Sequence, residues 1–159
     1  MEKSLAYIDY YIGAYGDTLR ISTQQKDWIV LFQKQIENIL NGKMENFDFC
    51  KMQNLKRFDN IASLELIKVV RSSIPCIFFE CRENTNYFKW LQDIDDLKNI
   101  IYLLNTLIES NSPCHQYLEG NDNKFTFEFC YNEDTDAFFE KAVSPYLTSS
   151  DLIKYWIGK

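Results

Sequence analysis

Glycine and proline are scarce in this chain, five and three in 159 residues, so no stretch rich in either divides it with a linker or a low-complexity tail. None of the five glycines forms a G-x-G-x-x-G or G-x-x-x-x-G-K pattern, which disfavours a dinucleotide-binding or P-loop arrangement. Histidine occurs once, at His115, leaving a single side chain whose ordinary titration falls near neutrality. Long apolar runs are also missing. The most apolar stretch, residues 94–108, is interrupted by Asp95, Asp96, Lys98, Asn99 and Asn105, whereas a membrane helix needs about 20 apolar residues. The start carries Tyr7, Asp9, Tyr10 and Tyr11 where a secretory signal would have a continuous apolar segment. A soluble, cytoplasmic protein is the expectation.

What is present is a core. Hydrophobic residues make up 46% of the chain and aromatics 16%, enough to exclude a disordered polar chain and to build one globular domain over residues 1–159. The five cysteines (Cys50, Cys76, Cys81, Cys114, Cys130) are an odd set with irregular spacing, which reads as reduced, mostly buried thiols and not as a disulfide framework. A pI near 4.8 with scattered Lys and Arg argues against nucleic-acid binding, since phosphate contacts need clustered bases.

Residues 5–12 and 18–22 flank Gly13-Ala14-Tyr15-Gly16-Asp17 and predict a β-hairpin. An N-terminal helix over residues 2–12 is the competing reading, because Leu5, Ile8 and Ile12 also fit helical spacing. Ser22 or Thr23 can cap a helix over residues 24–41 that buries Trp28, Phe32, Ile36 and Ile39 or Leu40 and ends at Gly42. Extended segments are expected at 46–52, 61–71 and 75–82, the last two reversing through Ser72-Ser73-Ile74-Pro75 as antiparallel neighbours, with both faces of 75–82 partly covered. Ile94, Leu97, Ile101, Leu104 and Ile108 mark a second helix over residues 91–110 packed on the sheet. Asp93, Asp95 and Asp96 lie in its first turns, where carboxylates complement the helix dipole. Phe125, Phe127, Phe129 and Tyr131 alternate with Thr126, Glu128 and Cys130 in a half-buried strand. Two short helices follow at 134–142 and 150–157. The fold class is α+β: a mainly antiparallel sheet with two long helices packed on one face.

Charge is concentrated near the end. Residues 119–140 carry seven acids (Glu119, Asp122, Glu128, Glu133, Asp134, Asp136, Glu140) against Lys124, a net of −6 that equals the charge of the whole chain. Acids interleaved with Tyr117, Tyr131, Phe138 and Phe139 combine a steering field with aromatic anchors, so Tyr117, Glu119, Asp122, Tyr131, Glu133, Asp134, Asp136 and Glu140 are the candidate partner-binding residues. An ordinary charged surface is the plainer reading of the same tract.

Catalytic and metal signatures are lacking. Cys114 and His115 are sequence neighbours that an extended chain points apart, so they are poorly placed as nucleophile and base. The zinc spacings C-x₂-C and H-x₃₋₅-H do not occur, and Asn121-Asp122-Asn123 does not continue into a calcium loop. No metal, cofactor or catalytic residue is expected.

Residues 12–22 (Ile-Gly-Ala-Tyr-Gly-Asp-Thr-Leu-Arg-Ile-Ser) and 113–118 (Pro-Cys-His-Gln-Tyr-Leu), with the order hairpin, helix, strands, long helix, strand, resemble small immunity proteins of bacterial polymorphic-toxin and contact-dependent inhibition systems. Where that pattern closes its last strand with Glu-Tyr, this chain has Cys130-Tyr131-Asn132-Glu133. The resemblance implies a non-enzymatic, cytoplasmic antidote that binds one cognate toxin domain, with residues 115–118 forming a structural turn; the acidic tract at 119–140 is then expected to contact a basic surface of that toxin. Two other readings stay open on residues alone: a structural or regulatory interaction domain of another complex, and an enzyme using His115 or a cysteine.

Overall fold

Alternation of apolar and polar residues builds most of the molecule. The computed structural model describes residues 5–13, 16–70, 77–119 and 125–133. The expected helices at 134–142 and 150–157, and Asp122, Asp134, Asp136 and Glu140, lie outside the described residues.

The chain begins with the hairpin and not with the helix. β1 (Ala6–Gly13) and β2 (Gly16–Thr23) pair antiparallel, with Ile8 opposite Ile21 and Asp9 opposite Arg20. The first helix, α1 (Lys26–Leu40), buries Trp28, Ile29, Phe32, Gln33, Ile36 and Ile39. Its N-cap is Gln25 without a side-chain cap bond. The expected capping residue Thr23 acts one step earlier: its hydroxyl accepts from the Gln25 N–H and donates to the Leu5 carbonyl, tying the helix entry to the hairpin. β3 (Asn46–Asp48) is shorter than the segment expected at 46–52. The chain turns at once into a 3-10 helix, Phe49–Lys51, because the Asp48 carboxylate accepts from Cys50 N and Leu64 N.

β4 (Leu55–Arg57), β5 (Ile61–Lys68), β6 (Ile77–Arg82) and β7 (Thr85–Gln92) follow. Here the structure corrects the sequence reading. β5 and β6 are not antiparallel neighbours; β7 lies between them, parallel to β5 and antiparallel to β6. The β6–β7 reversal uses Glu83 and Asn84, both with positive φ (48° and 62°), the backbone of a tight primed hairpin turn achieved without glycine. β6 also departs from a half-covered strand: Ile77 alone is buried on it, and Phe78 and Phe79 are exposed.

α2 (Ile94–Glu109) starts at an Asp93 cap whose carboxylate accepts from Asp96 N. Its buried stripe is Leu97, Ile100, Leu104 and Leu107, which keeps Leu97 and Leu104 of the expected one; Ile101 and Ile108 are partly buried, and Ile94 is exposed. β8 (Cys114–Glu119) and β9 (Phe125–Tyr131) complete the described chain.

Among the described residues the fold is α+β with two α-helices, but the strands form two mixed sheets and not one mainly antiparallel sheet. One has the order β4-β1-β2-β9-β8 and the other β3-β5-β7-β6. Three pairings are parallel: β1 with β4, β2 with β9 and β5 with β7. The two sheets face each other through aromatic rings. The inward residues of β9 meet three successive partners: Phe125 meets Phe88, Phe127 meets Trp90 at 4.7 Å, and Phe129 meets Phe32 of α1 at 5.0 Å. Tyr10 stacks on Phe79 and Phe125. Such offset and edge contacts add to the burial of the rings themselves.

The helices therefore close one end of a sheet-on-sheet core, in place of covering one face of a single sheet. α1 is joined to α2 by Gln33, whose amide donates to Ile101 O and Asn105 Oδ1. α2 is joined to β8 by Gln116, which donates to Thr106 Oγ1.

Candidate functional site on the outer face of β2, β9 and β8

Side chains alternate across a strand, so the residues not facing the aromatic core share the opposite face of the five-stranded sheet. Registers place them side by side: Asp9 beside Arg20, Arg20 beside Glu128, Glu128 beside Tyr117, and Cys130 beside His115. Residues far apart in the chain thereby share one polar face, buried at Asp9, Arg20 and Cys130 and exposed towards His115 and Tyr117.

At its inner side lies a buried ion pair. Arg20 Nε and one terminal nitrogen donate to the two oxygens of Asp9 at 3.1 and 2.9 Å, with side chains 9% and 1% exposed. Burial opposes the charged guanidinium, yet the Asp9 carboxylate and its hydrogen bonds hold Arg20 above its ordinary range. The Arg20 guanidinium also lies 4.8 Å from the centre of the Tyr11 ring. Burial raises the Tyr11 phenol, keeping it protonated, and it donates to Glu128 Oε2 at 3.3 Å.

At the outer side, His115 Nδ1 and Glu133 Oε1 are 2.7 Å apart. Glu133 reaches that position because Asn132 adopts a left-handed φ of 51° and its N–H donates to Thr23 O, folding the chain back over the end of β9. Asparagine accepts this conformation more readily than most residues. The hydrogen bond that protonated His115 donates to Glu133 raises the His115 pKa from its ordinary value, against partial burial, with Glu128 adding in the same direction. Ligand atoms of His115, Glu128 and Glu133 all lie within 4.8 Å of one another.

Of the expected partner-binding residues, the structure brings Tyr117 and Glu133 onto this face. Tyr117 is 51% exposed and meets His115 edge-on at 5.2 Å between ring centres. Tyr131 does not join them: it has the parity of the core-facing phenylalanines, packs on the core, and carries Lys26 5.5 Å from its ring centre. Glu119 lies at the end of β8, next to a register shift after Tyr117. Residues 115–118 are strand and not turn, which overturns the role that the resemblance implied for them.

Sequence reasoning missed Asp9, Tyr11, Arg20 and Cys130 as parts of the site. Cys130 is fully buried, and burial together with Glu128 and Glu133 raises its thiol strongly. Although it sits across from His115, its surroundings are the reverse of those that make a thiolate nucleophile. Cys50 is similarly quenched, pushed up to about 12 by burial and the nearby Asp48 carboxylate. Cys50, Cys81, Cys114 and Cys130 are all free thiols.

No helix among the described residues is long and apolar enough to cross a membrane. The chain matches no family model, no curated protein and no solved structure.

Proposed function

We propose that this chain is a cytoplasmic immunity protein that neutralises a cognate bacterial toxin by direct, non-catalytic binding. The observation that carries the reading is the cross-strand placement of exposed Tyr117 next to Glu128, with His115 and Glu133 alongside. A half-exposed aromatic ring is thereby framed by carboxylates at the β8 edge of the sheet. Such a surface supplies a field that draws in a basic partner and a ring that is desolvated on docking. The reading also draws on the layout and the residue patterns at 12–22 and 113–118, which resemble immunity proteins of polymorphic-toxin systems. The buried Cys130 thiol, held protonated, argues against covalent chemistry at the same place.

The test is co-purification with the toxin encoded by the adjacent upstream gene, followed by association kinetics. Tyr117→Ala is expected to speed dissociation by at least about tenfold, the scale of an interface residue worth more than 1 kcal/mol. Glu128→Lys is expected to slow association and to reduce its salt dependence. A toxin that binds both variants as it binds the parent, or does not bind the parent, rejects the reading.

A further inference from the structure

We infer that His115, Glu128 and Glu133 form a binding site for one divalent transition-metal ion of the zinc class. Their ligand atoms come from β8, β9 and the residue pair that follows β9, and lie within 4.8 Å of one another. Linear spacing conceals the set, since only cross-strand register and the turn at Asn132 assemble it.

Three features make this more than a chance meeting of acids. First, two carboxylates converge on one imidazole, so the neutral-imidazole state holds two negative charges that a dication would balance. Second, Glu128 has an outer donor, the Tyr11 hydroxyl at 3.3 Å. Metal ligands are held in place by such outer hydrogen bonds. Third, His115 and Glu133 side chains are 39% and 27% exposed, which leaves a route for the ion and an open position for water.

One imidazole nitrogen with two carboxylates is a zinc-type donor set, whereas calcium takes six or more oxygens and magnesium keeps most of its water. Ligand atoms around a tetrahedral zinc ion are about 3.3 Å apart, as follows from bond lengths near 2.0–2.1 Å. The 2.7 Å contact between His115 and Glu133 must therefore open by roughly 0.6 Å, and the wider contacts must close. Surface side chains achieve this by rotamer adjustment. His115 binds as the neutral ring, so the ion displaces a proton.

The inference stands apart from toxin binding, because its readout is metal uptake by the full chain alone. Calorimetric titration with Zn²⁺, under reducing conditions and with Mg²⁺ as the comparison, should show one ion bound per chain and a far weaker response to Mg²⁺. His115→Ala and Glu133→Gln should each weaken Zn²⁺ by about tenfold or more. Both side chains are partly exposed, and circular dichroism establishes that the variants are folded. Glu128→Gln provides a third, conservative variant. Co²⁺ substitution should give the visible absorption of a four-coordinate nitrogen and oxygen site, without an intense thiolate charge-transfer band. Absence of saturable Zn²⁺ binding, affinity unchanged in the folded variants, equal affinity for Mg²⁺, or an intense thiolate band in the Co²⁺ spectrum would each overturn the inference.

Discussion

The two faces of the β1-β2-β9 ribbon are made from the same three strands, yet they are held by different physics. Towards the second sheet stand Ile8, Leu19, Ile21, Phe127 and Phe129, all removed from water and fitted against rings. On the other side stand Asp9, Arg20, Tyr11, Glu128 and Cys130, several just as inaccessible but held by charge and hydrogen bonds. The apolar face gains free energy from every buried group, roughly 25 cal/mol per Å². The polar face gains only if each member keeps its partner, since desolvating a charge costs more than an imperfect contact returns. Burial alone therefore does not identify what stabilises a region.

Four substitutions or conditions break or sharpen that contrast. The largest expected effect is on the apolar face: Phe127→Ala should lose about 4 kcal/mol, through lost transfer energy and the cavity left beside Trp90. Urea denaturation measures it, and a loss under about 1 kcal/mol would mean that the core collapses freely around the gap.

On the polar face, Asp9→Asn should cost about 3 kcal/mol by leaving the Arg20 charge inadequately paired. The double variant Asp9→Leu with Arg20→Met should recover most of that loss, because both charges are gone. A double variant worse than the single would show that the pair itself, and not the avoidance of an orphaned charge, stabilises the sheet.

The rim of the same face carries a smaller, pH-dependent contribution. Glu133 raises the folded-state pKa of His115. The stabilisation is thus fully present below the unfolded value of about 6.5 and is lost as pH rises through the folded value. In metal-chelated buffer, His115→Gln should cost at most about 1 kcal/mol at pH 5.5 and less at pH 9. Equal cost at both pH values would assign the effect to packing.

The last contrast involves no change in stability. Exposed Cys81 should react with a maleimide well before Cys130, whose thiol is buried and held protonated. Mass spectrometry of the peptides orders the two, and early labelling of Cys130 would mean that the polar face opens readily.

The local elements were legible wherever a pattern runs uninterrupted. Phe125, Phe127 and Phe129 announce β9, the glycine-rich turn announces the first hairpin, and the aliphatic repeats announce both helices. β7 was concealed although Tyr87, Phe88 and Trp90 are good strand formers. Its turn, Glu83-Asn84, has no glycine or proline to mark a reversal. The pairing of β2 with β9 has no local signal at all, because parallel neighbours need no connecting turn.

The site was less legible than the fold. Tyr117 and Glu133, singled out for charge and aromatic content, share one face of the sheet, whereas Tyr131, singled out with them, lies on the other, because proximity in sequence does not respect strand parity. Asp9 and Arg20 meet only if the hairpin register is known to the residue, and a slip of one would turn both away. The return of Glu133 to His115 depends on a single left-handed asparagine.

The parallel seam between β2 and β9 joins residues roughly a hundred positions apart, such as Thr18 and Thr126, and chains dominated by distant pairings fold slowly. On a ribosome adding about 5–20 residues per second, the outer edge of the first hairpin waits roughly 5–20 s before its neighbour has even been synthesised. For that interval a row of backbone amides and carbonyls has only water or another nascent chain to pair with. Completing this protein is thus a race between tail and aggregate, and a faster-translated message would shorten the exposure.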